Sequence, residues 1–94
     1  MPHRYDYSEK LQKILQKLSK KDSKKYEIIW KKINEIVNSE NVEHYKNLRH
    51  PLNNFKAVHI DKSFVLIFRY DKNKNLISFE DFDHHDKIYF KRHL

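Results

Sequence analysis

At 94 residues the chain has room for one domain, and 20 Lys plus Arg against 13 Asp plus Glu leave a formal charge of +7. It contains no Gly and no Cys, which excludes P-loops and the Rossmann glycine fingerprint, whose backbone must approach phosphate without a Cβ, and equally disulfides, thiolate zinc sites, iron–sulfur clusters and cysteine nucleophiles. No stretch resembles a secretory signal or approaches the ~18 apolar residues of a membrane span, so a soluble, cytoplasmic domain covering residues 1–94 is expected.

His3 to Tyr7 alternates polar and aromatic residues over too short a span to stand alone, and reads as an added strand. A helix follows, capped by Asp6, with Glu9 three residues on, or by Ser8. Its stripe is Leu11, Ile14, Leu15 and Leu18. SKKDSKK breaks the pattern, and Asp22 or Ser23 opens a second helix with Tyr26, Ile29, Trp30, Ile33, Ile36 and Val37 on one side, ending near NSEN. Two amphipathic helices joined by a few residues form an antiparallel hairpin that must lay its apolar face on something.

That surface comes next. Phe55 to Ile60 and Phe64 to Tyr70, with Asp61, Lys62 and Ser63 between them, read as a β-hairpin. The second of these strands is apolar on both sides, Phe64, Leu66 and Phe68 facing one way and Val65 and Ile67 the other, so it should be central. In the turn DKNKN an Asn must take the positive φ that Gly usually supplies. A third strand runs from Leu76 to about Phe82. Because Ile77 and Phe79 share parity with Asp81, a bulge or the strand's end is expected near Glu80. The sum is an α+β domain of order β-α-α-β-β-β, a two-helix hairpin packed on a small, mostly antiparallel, twisted sheet.

Seven His in 94 residues is a high count, and several stand among cations and aromatics: His50 in YKNLRHPL, His59 in FKAVHID, His84 and His85 in DHHDKIY. Cleavage of RNA by its own 2′-hydroxyl needs a group to take that proton, another to protonate the 5′-oxygen, and cations around the phosphorane. Imidazole suits both transfers because its pKa lies near neutrality, Lys and Arg stabilise phosphate oxygens, and an aromatic ring can stack on a splayed base. The acidic run Glu80, Asp81, Asp83 and Asp86, with its two His, offers a divalent cation oxygen and imidazole ligands instead, but strand alternation sends neighbouring carboxylates to opposite faces. The positive charge would steer a polyanionic partner, and on this reading it should gather near His50, His59 and His85. A domain of this size buries only about 60 to 65% of its unfolded surface, so a partner that covers more of it would add stability.

The order of elements, the opening YDYSEKLQKILQKL, NLRHPL before the first long strand, the hairpin FKAVHIDKSFVLIFRYD and the ending DHHDKIY together resemble the RelE/ParE superfamily of toxins, most nearly its YafQ-like mRNA interferases. The shared marks are His50 before a Leu ahead of the hairpin, His59 before the hairpin turn, and the His85-x-x-x-Tyr89 ending. The resemblance implies a toxin of a type II toxin–antitoxin system, a ribosome-dependent endoribonuclease that cuts mRNA in the A site by 2′-hydroxyl attack, leaving a 2′,3′-cyclic phosphate, with neither metal nor cofactor. It also implies a RelB/DinJ-like antitoxin, with the ribosome, mRNA and rRNA as further partners and no membrane. Carried onto this chain, His85 becomes the general acid, His50 or His59 the base or its orienter, and Tyr89 a stacking or positioning group. Lys46, Arg49 and Lys56 hold phosphate, together with Arg69 and Lys87. RelE has Arg where Val65 stands, so the arginine-based site is missing here. YafQ-like proteins place an Asp deeper in the turn, at the position of Ser63, whereas Asp61, carried over here as a catalytic candidate, lies two residues earlier. Alternation also sets Lys56 with Val58 and Ile60, and His59 with Phe55 and Ala57, so without a bulge those two cannot share a face. The same superfamily contains ParE-like proteins that poison DNA gyrase and cut no RNA; that reading, and an inactive RNA-binding relative, are the alternatives.

Overall fold

The computed structural model describes residues 3–50 and 52–88. Its first element, strand β1 (Arg4–Tyr7), leads directly into helix α1 (Glu9–Lys21). Of the two caps the sequence offers, Ser8 is used: its hydroxyl oxygen accepts from Leu11 N at 3.1 Å and donates to the Glu80 carbonyl at 2.6 Å. The helix start is thus tied to the sheet as well as satisfied at its own end. Asp22 serves both helices. Its backbone N–H donates to Leu18 O at 2.8 Å, closing α1, and its carboxylate accepts from Lys25 N at 3.1 Å, opening α2 (Ser23–Val37). The expected linker of a few residues therefore shrinks to one.

The helix hairpin lays Leu11, Leu15, Ile29, Ile33, Ile36 and Val37 on the sheet, with Ile14, Leu18, Tyr26 and Trp30 half-buried at its margin. After a short 3₁₀ turn (Val42–His44) come β2 (Lys56–Ile60), β3 (Phe64–Asp71) and β4 (Leu76–His84), then a single helical turn, α3 (His85–Ile88). The strands are ordered β1-β4-β3-β2; β1 runs parallel to β4 and the other pairs are antiparallel. This is the α+β architecture anticipated, with β3 inside the sheet.

Both faces of β3 are covered. Leu66 and Phe68 lie fully buried in the core beneath the helices, while Val65 and Ile67 join Leu48, Phe55 and Ile88 in a second cluster on the other face. The parity conflict in β4 is resolved by a bulge at Glu80: Phe68 pairs with Phe79, but Ile67 pairs with Asp81. The extra residue reverses parity, so Ile77, Phe79 and Phe82 all enter the helix-side core. With no Gly available, the two left-handed positions fall to Asp61 (φ 58) and Asn75 (φ 50), residue types that tolerate αL. Among the described residues no helix is long and apolar enough to cross a membrane.

Candidate functional site

The second cluster organises the histidines. Residues 46–55 double back along the outer edge of β2: Ala57 N donates to Lys46 O at 3.1 Å, and Leu48 N to Phe55 O at 2.9 Å. Leu48 and Phe55 are buried in the cluster, which leaves Lys46, Arg49 and His50 exposed around it, and Leu52 N, donating to Arg49 O at 2.9 Å, closes the turn that carries His50. Ile88 enters the same cluster from α3, so His85 and Lys87 stand exposed at its other margin.

His85 is held at the β2–β3 turn. Its N–H donates to the Ser63 carbonyl at 2.8 Å, and its ring Nδ1 lies 3.3 Å from the same oxygen. With Nδ1–H directed at a carbonyl, Nε2 is the nitrogen turned outward, and Asp86 Oδ1 is 3.0 Å from it. That turn also carries Asp61, exposed in its left-handed conformation, and begins two residues after His59. His59 is exposed and opposite Val65, which in turn pairs with Asp83. The hairpin end thus gathers His59, Asp61 and His85, and the shared apolar cluster brings the loop with Arg49 and His50 beside them.

Two of the expected phosphate contacts lie elsewhere. Lys56 is buried at 8% exposure, and its ammonium donates to Tyr45 O and Asn47 Oδ1, both at 2.9 Å, and to Glu43 O at 3.4 Å. This corrects its reading as a phosphate ligand. With continuous β2–β3 register and no bulge between them, Lys56 and His59 fall on opposite faces as alternation requires. Burial depresses the Lys56 pKa below its usual value, with the Glu43 carboxylate opposing that shift. Its role is to tie the folded-back loop to β2. Lys56→Ala is accordingly expected to destabilise the protein by about 1–3 kcal/mol, because it leaves buried carbonyl acceptors unpaired, with RNA affinity measured well below the melting temperature unchanged; a loss of affinity without a loss of stability would restore the phosphate role.

Arg69 is exposed but committed to Glu80 at 3.1 Å and stacked over Phe55 at 5.7 Å, toward the far end of β3. Tyr89 falls outside the described residues. Nor does the charge gather at the histidines: nine of the 20 lysines and arginines stand on α1 and α2, and among the described residues the exposed cations around the cluster are Lys46, Arg49, Lys62, Lys87 and the Glu80-paired Arg69.

The sequence offered the acidic run with its two His as cation ligands and set it against strand alternation; what it did not foresee is that His84, His85 and Asp86 come together. Their rings and carboxylate converge where β4 becomes α3, and the change of period at that junction is the one signal a linear reading could have used. Of the other acidic residues of the run, Glu80 pairs with Arg69, buried Asp81 with Lys10 at 3.3 Å, and Asp83 accepts from His84 N at 2.7 Å. A groove of about 510 Å³ lined by Tyr5, Tyr26, Trp30 and Val37 lies between β1 and α2, and none of His50, His59, His84 and His85 lines it.

No family model matches the chain. It is, however, 63% identical over 84 residues to RelE4 of Methanocaldococcus jannaschii, a toxin by name, covering 89% of this chain and 87% of that one. The chain belongs to the RelE family of toxins. An uncharacterized protein of Methanosarcina mazei is 53% identical over 74 residues, 79% of this chain and 84% of its own. Among solved structures, a double mutant of Escherichia coli toxin RelE in the free state superposes with a TM-score of 0.72 at 19% identity, over 96% of this chain and 93% of that one. YafQ from E. coli gives 0.65 at 16% identity, over 93% and 98%. The toxin–antitoxin complex RelBE2 of Mycobacterium tuberculosis gives 0.60 at 17%, over 90% and 100%. These three share the fold, and the likeness to RelE4 carries the family assignment.

Proposed function

We propose that this RelE-family toxin is a ribosome-dependent endoribonuclease of the cytoplasm that cuts mRNA in the A site, and that an acidic RelB/DinJ-like antitoxin silences it, as the name of the mycobacterial complex suggests for that relative. The observation that carries this reading is the placement of His85: exposed, held by its own backbone and ring at the Ser63 carbonyl, and at the same end of the hairpin as His59 and Asp61.

In the proposed reaction His59 or His50 takes the 2′-hydroxyl proton and O2′ attacks phosphorus. His85 gives the Nε2 proton to the departing 5′-oxygen. The products are a 2′,3′-cyclic phosphate and a 5′-hydroxyl, so no water or metal enters the bond-breaking step. Arg49 and Lys46 stabilise the phosphorane oxygens, and Lys62 and Lys87 take adjacent phosphates. His50, His59 and His85 are all exposed, as a strand delivered by another particle requires.

Protein added to programmed ribosomes should cut the mRNA and leave 2′,3′-cyclic phosphate ends, with naked mRNA cut far more slowly. Ends bearing 3′-hydroxyl would point to water attack and overturn the mechanism. Intact mRNA together with gyrase trapped on DNA would establish the ParE-like reading, and inertness in both assays the inactive RNA-binding one.

A further inference from the structure

We propose that His84, His85 and Asp86 form a binding site for a divalent cation of the zinc class, and that the bound ion takes His85 out of use as an acid. The site claim stands on geometry; only the masking rests on the function proposed above.

In a continuing strand His84 and His85 would point to opposite faces. Here β4 ends at His84 and α3 begins at His85, and the turn of the backbone stacks the two imidazoles with centroids 5.1 Å apart and planes 24° from parallel. Asp86 reaches both rings, Oδ2 lying 3.6 Å from His84 Nδ1 and Oδ1 lying 3.0 Å from His85 Nε2. One donor atom from each residue falls within 4.8 Å of the other two. Ligands held at about 2.0–2.1 Å in a tetrahedron stand about 3.3 Å apart; Asp86 meets the two rings through different oxygens, so rotation of these side chains must draw one oxygen and the two nitrogens together from within 4.8 Å.

The tautomers fit as well. Asp86 N–H donates to His84 Nδ1 at 3.3 Å, so that nitrogen is the unprotonated one, and a bound cation would take its lone pair in place of this long hydrogen bond. An acceptor nitrogen and a carboxylate oxygen repel each other unless a cation or a proton stands between them. His85 directs Nδ1 at the Ser63 carbonyl, the outer-shell contact that commonly orients a ligating histidine and leaves Nε2 free to bind. Two nitrogens and one carboxylate favour zinc, nickel or copper over magnesium or calcium, so ribosomal magnesium would not fill the site. The consequence follows from a single atom. Nε2 of His85 either carries the proton destined for the 5′-oxygen or binds the metal, and it cannot do both.

The test titrates untagged full-length protein with zinc chloride, read by calorimetry and by nitrogen-15 shifts of the imidazoles. One equivalent should bind and move the His84 and His85 ring signals, and magnesium chloride should move neither. His84→Gln and Asp86→Asn should each weaken binding by at least the about tenfold that losing even an outer-shell partner costs. Unchanged affinity in both variants, or no binding by the wild type, overturns the site. In the ribosome assay zinc should inhibit the wild type and spare His84→Gln, each rate taken relative to that protein's own zinc-free rate on the same ribosomes. Zinc bound at these residues without inhibition would keep the site and refute the masking. If no sample cleaves mRNA, the proposed function fails while calorimetry and ring shifts still decide the site.

Discussion

His85→Ala is expected to slow mRNA cleavage by a factor of about 100 or more, the usual worth of a general acid, which corresponds to about 2.7 kcal/mol of transition-state stabilisation. Without the Nε2 proton the 5′-oxygen must depart as an alkoxide, a far poorer leaving group than the alcohol. Affinity for the ribosome should change little, because the side chain is exposed and its ring meets only the Ser63 carbonyl and the exposed Asp86, while the backbone bond to Ser63 survives the substitution. The role can be separated from that of a base by changing the leaving group. In a substrate whose 5′-bridging oxygen at the scissile bond is replaced by sulfur, the thiolate leaves without protonation, so His85→Ala should recover most of its deficit while His59→Ala and His50→Ala should not. If sulfur fails to rescue His85→Ala, or rescues His59→Ala instead, the assignments must be exchanged.

How far the sequence predicted this arrangement depends on the range of the interaction concerned. The helices were readable because a 3.6-residue stripe is a local property, and β3 because alternating large apolar residues on both faces have no place at a sheet edge. The bulge at Glu80 was readable as a contradiction: a strand that puts Asp81 in phase with Ile77 and Phe79 must break phase somewhere. What escaped are features created only when distant segments meet. The parallel pairing of β1 joins Arg4 to Leu76, and nothing in four exposed residues announces a partner so far along the chain.

Lys56 illustrates the same limit at a single side chain. A lysine in a basic stretch reads as solvated, yet the carbonyls that bind it exist only once residues 43–47 have folded against β2. Its depressed pKa has a definite sign of effect. The folded state binds this proton more weakly than the unfolded chain does, so stability gains from this group as pH rises from the folded pKa toward the unfolded value of 10.5. Acid therefore gains nothing from Lys56. Charge told a similar story: the sum of +7 was visible, but its spread over α1 and α2 followed from which lysines the helix stripes push outward.

The two apolar clusters should respond to truncation in different ways. Phe68→Ala removes a ring with 0% exposure that meets Tyr45 and Phe79, each at 5.7 Å between centroids. The expected loss is about 3–5 kcal/mol, against a total of about 5–14 kcal/mol for a domain of this length, and a fall in melting temperature of more than about 12 °C. Cleavage measured below that transition should persist, since Phe68 faces the helices and His85 does not depend on it. Ile88→Ala acts on the smaller cluster, where Ile88 is fully buried and anchors the single turn that carries His85. Such a short terminal element can open without unfolding the sheet, so the melting temperature should fall less than in Phe68→Ala while cleavage falls by up to about 100-fold, the loss that a displacement of about 1 Å can cause. Faster exchange of the His85 amide, whose bond to Ser63 O depends on the same anchoring, would identify displacement as the cause. Wild-type cleavage by Ile88→Ala would mean that α3 does not need the second cluster to hold its histidine, and Phe68→Ala inactive at temperatures where it remains folded would mean that the two faces of β3 are not independent.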